Sequence, residues 1–251
     1  MKYFDVVVLG AGSAGEPIAT ALASAGRSVA LIEQLRVGGE CAYVSCMPSK
    51  AMLRSAQVRN TAKNLVVLGG ASYPVDLDDH FEAYRWAAVR RDRIAKFRND
   101  ADSAASAVKV GVELYRGTGI FTNFNRISVG KDELTWTDLV LATGSSPTIP
   151  KIDGLDEIEF WSSEDALSAP ECPKSVLIVG GGPVGCELAQ VYSRFGSETT
   201  LVEFSDQLAG KEHPDIARRL AHNLRSEGVN VLLNTKVSKV EITDDKKTLV
   251  H

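Results

Sequence analysis

The hydrophobic pattern of the chain alternates between short apolar runs and stretches with helical spacing. The runs "YFDVVVL" and "SVALIE" near the N-terminus have the length and β-branched content of buried strands, and so do "SVLIV" at 175–179 and "ETTLVEF" at 198–204. Each leading run ends in a glycine-rich turn, and an apolar stretch of helical period joins it to the second run. Residues 48–63 and 80–107 also read as helix. The later one is rich in charge ("RWAAVRRDRIAKFRND"), which predicts a solvated or subunit-facing surface with its arginines outside. From 113 to 141 the pattern changes to short alternating strands ("VELYRGTGIF", "RISV", "ELTWTDLVLATG"), and "SSPTIPKIDGL" reads as a linker. A boundary near 149 follows, dividing the chain into domains at 1–148 and 149–251. Beyond the second glycine turn the pattern predicts an amphipathic helix at "DIARRLAHNLRSEG", a buried strand at "VNVLLN", and a hairpin in "TKVSKVEITDDKKTLVH".

Composition narrows the class without deciding it. A chain of 251 residues holds one large domain or two modest ones. The net charge of -4 arises from interspersed residues, so no basic surface for nucleic acid or anionic lipid is expected. No apolar run reaches the length of a membrane span, and Asp5 interrupts the N-terminal run too early for a signal peptide. Four cysteines in so long a chain argue against a disulfide framework, and a reducing cytoplasm is the expected compartment. Zinc is not favoured, because Cys172 and Cys186 are isolated and no histidine pair has ligand spacing.

The strand, turn, helix, strand pattern is written twice. Gly10, Gly12 and Gly15 recur as Gly180, Gly182 and Gly185, and Glu33 recurs as Glu203, all at one offset of 170 residues. Glycines in G-x-G-x-x-G allow a tight turn, close approach of a pyrophosphate and close helix packing. The acid at the end of the second strand accepts hydrogen bonds from a ribose, and the helix N-terminus binds phosphate. Two copies in register predict two dinucleotide sites on an α/β fold with two Rossmann-like domains.

A further motif, "GGECAYVSCMPSK" at 38–50, sets Cys41 and Cys46 five positions apart. In one continuous helix their Cα atoms would lie ~8.6 Å apart, beyond the ~7 Å limit of a disulfide. Pro48 suits the first turn of a helix, which places Cys46 at a helix start and Cys41 in the loop before it. A thiol at a helix start is more reactive than an ordinary one. The alternative, two buried structural cysteines, remains open on this stretch alone.

With two dinucleotide motifs and this cysteine pair, the chain resembles the pyridine nucleotide-disulfide oxidoreductases of class I along its whole length. The resemblance implies FAD at the first site and a nicotinamide cofactor at the second. NAD is expected there, because Glu203 repels a 2′-phosphate and "FSDQ" after it offers no arginine. It further implies a redox disulfide between Cys41 and Cys46, with Cys46 facing the flavin and Cys41 exchanging with substrate. Lys50 and Glu187 match an ion pair near the flavin ring. Thr143 and Gly144 in "LVLATGS" match the segment closing the FAD site, while Gly119 and Val237 match backbone contacts to adenine. Members acting on lipoamide read T-C-L-N-V-G-C at the dithiol, so Glu40, Tyr43 and Ser45 in "ECAYVSC" change its surroundings. Family members continue past the length seen here, completing the NAD domain and adding a dimerisation domain that carries a catalytic His-Glu pair. None of His80, His213, His222 or His251 matches that histidine.

The implied function is electron transfer between NAD(H) and a small or protein-bound disulfide through FAD and the Cys41–Cys46 pair, of the dihydrolipoamide dehydrogenase type, in a homodimeric parent protein. Two alternatives stand beside it: a truncated product that binds nucleotide without turnover, and a metal-ion reductase of the mercuric type.

Overall fold

The first apolar run forms β1 (Lys2–Leu9), which stops at Gly10, where φ is +96°. The structure, a computed structural model, describes residues 1–77, 79–243 and 248–250. After β1 come α1 (Gly15–Ser24), β2 (Val29–Glu33), α2 (Gly39–Tyr43), α3 (Cys46–Lys63), α4 (His80–Ile94) and α5 (Ala101–Lys109). Strands β3 (Val112–Arg116), β4 (Ile120–Asn123), β5 (Arg126–Val129) and β6 (Asp132–Leu141) follow, then the short α6 (Ser163–Ala166). The rest comprises β7 (Ser175–Val179), α7 (Pro183–Arg194), β8 (Glu198–Val202), α8 (Pro214–Ser226), β9 (Asn230–Leu232), β10 (Val240–Ile242) and β11 (Thr248–Val250). Contacts gather residues 1–48 with 93–146 into one compact unit and 49–92 with 147–251 into a second. Among the described residues no helix is long and apolar enough to cross a membrane.

In the first unit six strands form a sheet in the order β3-β2-β1-β6-β5-β4, parallel from β3 to β6 and antiparallel beyond. Strand alternation sends Val6, Val8, Val29 and Leu31 to one face, where small Ala19 of α1 and Ala107 of α5 let the helices sit close. Val7, Ala30 and Ile32 pack on the other face with Ile127, Val129 and Leu134 of the meander. Leu31 and Ile32 are almost wholly buried, each such side chain stabilising by roughly 1.5–3 kcal/mol.

In the second unit β7, β8 and β9 make a parallel sheet in that order, and β10 pairs antiparallel with β11. The expected hairpin is therefore present, although residues 244–247 and 251 lie outside the described residues. β7 and β9 were expected to be buried, yet both carry exposed positions, because each lies at an edge of the three-stranded sheet. Residues 49–92 join this unit through an apolar stripe of α4: Tyr84, Ala87 and Ala88 pack with Met52 and Ala56 of α3 and with Leu188, Val191 and Tyr192 of α7.

Two expectations for 80–107 are corrected. The segment is not one helix, since Lys96, Phe97 and Arg98 adopt left-handed φ of 50°, 51° and 59° between α4 and α5. Nor are all its arginines superficial. Arg91 is fully buried on the stripe and donates to the carbonyls of Ala169 (2.8 Å) and Ser168 (3.2 Å) and to Asp92 (2.9 Å). Those carbonyls lie just past α6, and the buried guanidinium satisfies them together with the Tyr84 hydroxyl, which donates to Ala169 at 3.4 Å.

Candidate functional site

The first glycine turn sits where β1 changes neighbours, with β2 on one side and β6 on the other, the switch point at which parallel sheets bind ligands beyond their strand ends. Each motif glycine has its own reason. At Gly10 a Cβ would lie 2.2 Å from the Ala142 carbonyl oxygen, and at Gly15 a Cβ would lie 1.9 Å from the Gly10 oxygen. At Gly12 a Cβ would meet only Cα of Gly39, in ordinary contact at 3.9 Å, so this turn packs against the cysteine segment with no clash. Thr143 and Gly144 follow Ala142, whose N–H donates to the Leu9 carbonyl at 2.8 Å. Gly119 also comes here, since a Cβ on it would meet the Leu9 and Ile127 side chains at 2.7 Å. Residues scattered between 10 and 144 in sequence thus converge at the C-terminal end of β1.

Glu33 has a role that the sequence does not reveal. Its carboxylate accepts from the backbone N–H groups of Ala11 (2.7 Å), Leu35 (2.6 Å) and Arg36 (3.2 Å), bracing the glycine turn. A carboxylate offers about four lone-pair sites, so one remains for a ribose hydroxyl.

The second turn repeats this construction. Gly180 has φ of +109°, a Cβ on Gly185 would lie 2.0 Å from the Gly180 oxygen, and Gly182 has open space around it. Glu203 accepts from Gly181 N–H at 2.6 Å and Ser205 N–H at 2.7 Å. Burial works to raise its carboxyl, but the amides of Ser205, Gly181 and Phe204 outweigh that and hold it below the usual carboxylate range. Val237 is buried beside Val202 at the end of β8. Cys186, in α7 beneath this turn, donates to the Gly181 carbonyl, and burial pushes its thiol up to about 11. Cys172, also buried, is pushed up to about 11 in the same way. Both are inert by comparison with an exposed thiol.

The cysteine pair lies across a break between helices. Gly38 and Gly39, with φ of 103° and 69°, turn the chain into α2. Cys41 belongs to this five-residue helix rather than to a loop, which corrects the sequence reading. The N–H groups of Val44 and Ser45 both donate to the Glu40 carbonyl, ending α2, and Cys46 opens α3. The break removes the single-helix geometry that would forbid a disulfide. Cys46 is exposed, Cys41 half-buried, and the Ser45 hydroxyl oxygen stands 4.0 Å from the Cys46 sulfur. The whole segment is fastened to the first glycine turn. Gly38 N–H donates to the Ala11 carbonyl at 2.7 Å, and a Cβ on Gly39 would lie only 2.6 Å from Cα of Gly12.

In the second unit Lys50 Nζ pairs with Glu187 Oε1 at 2.6 Å, so the two side chains singled out by the sequence do meet. The described histidines are engaged elsewhere or lie on the surface. His80 Nδ1 accepts from Arg59 at 2.6 Å, His213 caps α8, and His222 lies on the same helix; His251 lies outside the described residues. No group of three or more His, Cys, Asp or Glu among the described residues could hold a metal ion.

Comparison with known proteins adds four findings. A family model described as "Pyridine nucleotide-disulphide oxidoreductase" matches residues 4–251. Mercuric reductase of Bacillus cereus is 31% identical over 97% of this chain and 38% of its own length. Dihydrolipoyl dehydrogenase of Acholeplasma laidlawii is 33% identical over 96% of this chain and 71% of its own. Among solved structures, the Cu(II) complex of the HOCl-induced flavoprotein disulfide reductase RclA from Escherichia coli superposes with a TM-score of 0.84 at 27% identity, covering 100% of this chain and 53% of that one. The chain thus spans well under the full length of these proteins, about half of RclA.

Proposed function

Since this chain belongs to the pyridine nucleotide-disulphide oxidoreductase family, we propose that it carries the FAD site, the redox dithiol and part of the NAD(H) site of an enzyme that moves electrons between NAD(H) and a disulfide substrate. The single observation that carries this reading is the fastening of the Cys41–Cys46 segment to a dinucleotide turn through Gly39 on Gly12 and Gly38 on Ala11. A thiol pair that served only packing would not need two left-handed glycines holding it against an open phosphate-binding turn.

The residues fit FAD: the glycines keep the turn free of side chains, Glu33 keeps an acceptor site, and Thr143, Gly144 and Gly119 lie at the same end of the sheet. When bound, FAD supplies two-electron exchange between a nicotinamide and a disulfide. The chain's own chemistry is thiol exchange. The Cys41 thiolate attacks one sulfur of the substrate disulfide, that S–S bond breaks, and the first product thiol leaves with a proton. The Cys46 thiolate then attacks the Cys41 sulfur, releasing the second thiol and closing the Cys41–Cys46 disulfide, so substrate gains two electrons and two protons. Glu203 selects NAD(H), because it is held ionised and would face a 2′-phosphate with like charge. We place the full-length protein in the cytoplasm, as a homodimer. A soft metal ion as substrate is the second reading, favoured by the mercuric reductase relatives and by the affinity of paired thiolates for soft ions. Parallel assays of NADH oxidation with lipoamide and with Hg(II) on the full-length protein test the two. Turnover of neither, with FAD bound, would contradict both.

A further inference from the structure

The left-handed residues Lys96, Phe97 and Arg98 demand an explanation. None is glycine, and each left-handed residue costs roughly 1–2 kcal/mol. Such strain persists only where its surroundings fix it. The turn lies against α2, the helix of Cys41, and it redirects the chain so that α5 begins beside the dithiol segment. There the Asp100 carboxylate accepts from Val37 N–H at 2.7 Å and pairs with Arg116 at 2.7 Å, its side chain 18% exposed. One turn into α5, the Ser103 hydroxyl meets the Tyr43 hydroxyl at 2.9 Å. Tyr43 is itself buried, and its ring edge would lie 3.2 Å from a Cβ on Gly38. The segment from Val37 to Tyr43 is therefore held on one side by the glycine turn and on the other by Asp100 and Ser103.

We infer that Asp100, supported by Ser103, is a positioning residue for the Cys41–Cys46 pair: it anchors Val37 and so fixes how α2 presents Cys41 to Cys46. This rests on the dithiol reading above. Closing a disulfide needs the two Cα atoms within about 4.4–6.8 Å. A segment already ordered by Asp100 closes at less entropic cost than a loose one. Losing the anchor therefore favours the open dithiol.

The test equilibrates the chain in mixtures of reduced and oxidised dithiothreitol and reads the Cys41–Cys46 disulfide by alkylation and peptide mass. One S–S bond forms between Cys41 and Cys46, and oxidised dithiothreitol takes up their two electrons and two protons. Asp100→Ala is expected to lower the oxidation constant about fivefold, or about 20 mV at 29.6 mV per tenfold. Asp100→Asn, which keeps an acceptor for Val37 N–H, falls between it and the parent, and Tyr43→Phe shifts the same way. Should Asp100→Ala not fold, these two variants carry the test. Asp5→Ala removes the carboxylate that accepts from Ser28 N–H in the same unit and serves as the structural control. It should lower thermal stability without moving the constant. A constant unchanged within about twofold in the Asp100 variants, or an equal shift in Asp5→Ala, overturns the inference. A parent chain that forms no Cys41–Cys46 disulfide in any mixture refutes the dithiol reading itself, and the inference falls with it.

Discussion

Replacing Gly39 by alanine probes the contact between the cysteine segment and the dinucleotide turn. Gly39 has φ of +69°, and its new Cβ would lie 2.6 Å from Cα of Gly12, where ordinary contact begins at 3.4 Å. The obstacle is backbone rather than a side-chain end, and the neighbouring Gly38–Ala11 hydrogen bond resists separation. The left-handed conformation costs roughly 1–2 kcal/mol and the overpacking roughly 1–3 kcal/mol more, about 2–5 kcal/mol together. Gly26→Ala separates the two costs, because Gly26 has φ of +85° with nothing within 4 Å and incurs only the first. Urea unfolding followed by far-ultraviolet circular dichroism measures both variants. Flavin fluorescence measures FAD affinity, expected to weaken about tenfold for Gly39→Ala, equivalent to about 1.4 kcal/mol, and to stay unchanged for Gly26→Ala. Equal stability losses and equal FAD affinities in the two variants would refute the packing argument.

Further outcomes follow from the same geometry. NADH should bind at least about tenfold more tightly than NADPH, about 1.4 kcal/mol, in a fluorescence titration, and Glu203→Gln should narrow the gap. Arg91→Ala should destabilise by about 2–5 kcal/mol in urea because it empties a fully buried site and removes the donor to the Ser168 carbonyl and one of the two donors to that of Ala169, whereas Arg85→Ala, at an exposed pair with Glu171, should leave the midpoint nearly unchanged. Burial works to raise Asp100, but Arg116 and Val37 N–H outweigh it and hold the carboxyl below its ordinary 3.8. Its stabilisation is thus present above that pH and lost as pH falls through the lower folded value, so parent and Asp100→Asn should converge in stability in acid. Without FAD, iodoacetamide should label exposed Cys46 faster than half-buried Cys41, and FAD should reverse that order, as read by peptide mass.

The parts of this structure legible in the sequence are those fixed locally. A glycine turn needs left-handed backbone at Gly10 and close backbone packing at Gly15, and these demands fall at fixed offsets along one stretch, so the repeat at 180–185 is visible at a glance. Burial was less legible, because it depends on neighbours that periodicity does not name. β1 and β7 carry similar apolar runs, yet β1 is enclosed by β2 and β6 while β7 lies at a sheet edge. Charge likewise concealed Arg91, whose place on the buried stripe of α4 follows from its spacing to Tyr84, Ala87 and Ala88. The anchor of the cysteine segment left no signal at all. Asp100 and Val37 are 63 residues apart, and the turn joining α4 to α5 uses Lys, Phe and Arg where left-handed backbone ordinarily selects glycine or asparagine.

The central claim is that the turn of Gly10, Gly12 and Gly15 holds FAD beside a redox-active Cys41–Cys46 pair. The most direct measurement is the visible spectrum of the purified chain after incubation with FAD and removal of unbound flavin. Retained flavin bands at one FAD per chain, reduced by Gly12→Asp, whose carboxylate would stand against the cofactor's pyrophosphate, are the expected result. Folded protein that remains colourless after incubation, or that holds flavin equally well with Gly12→Asp, would contradict it.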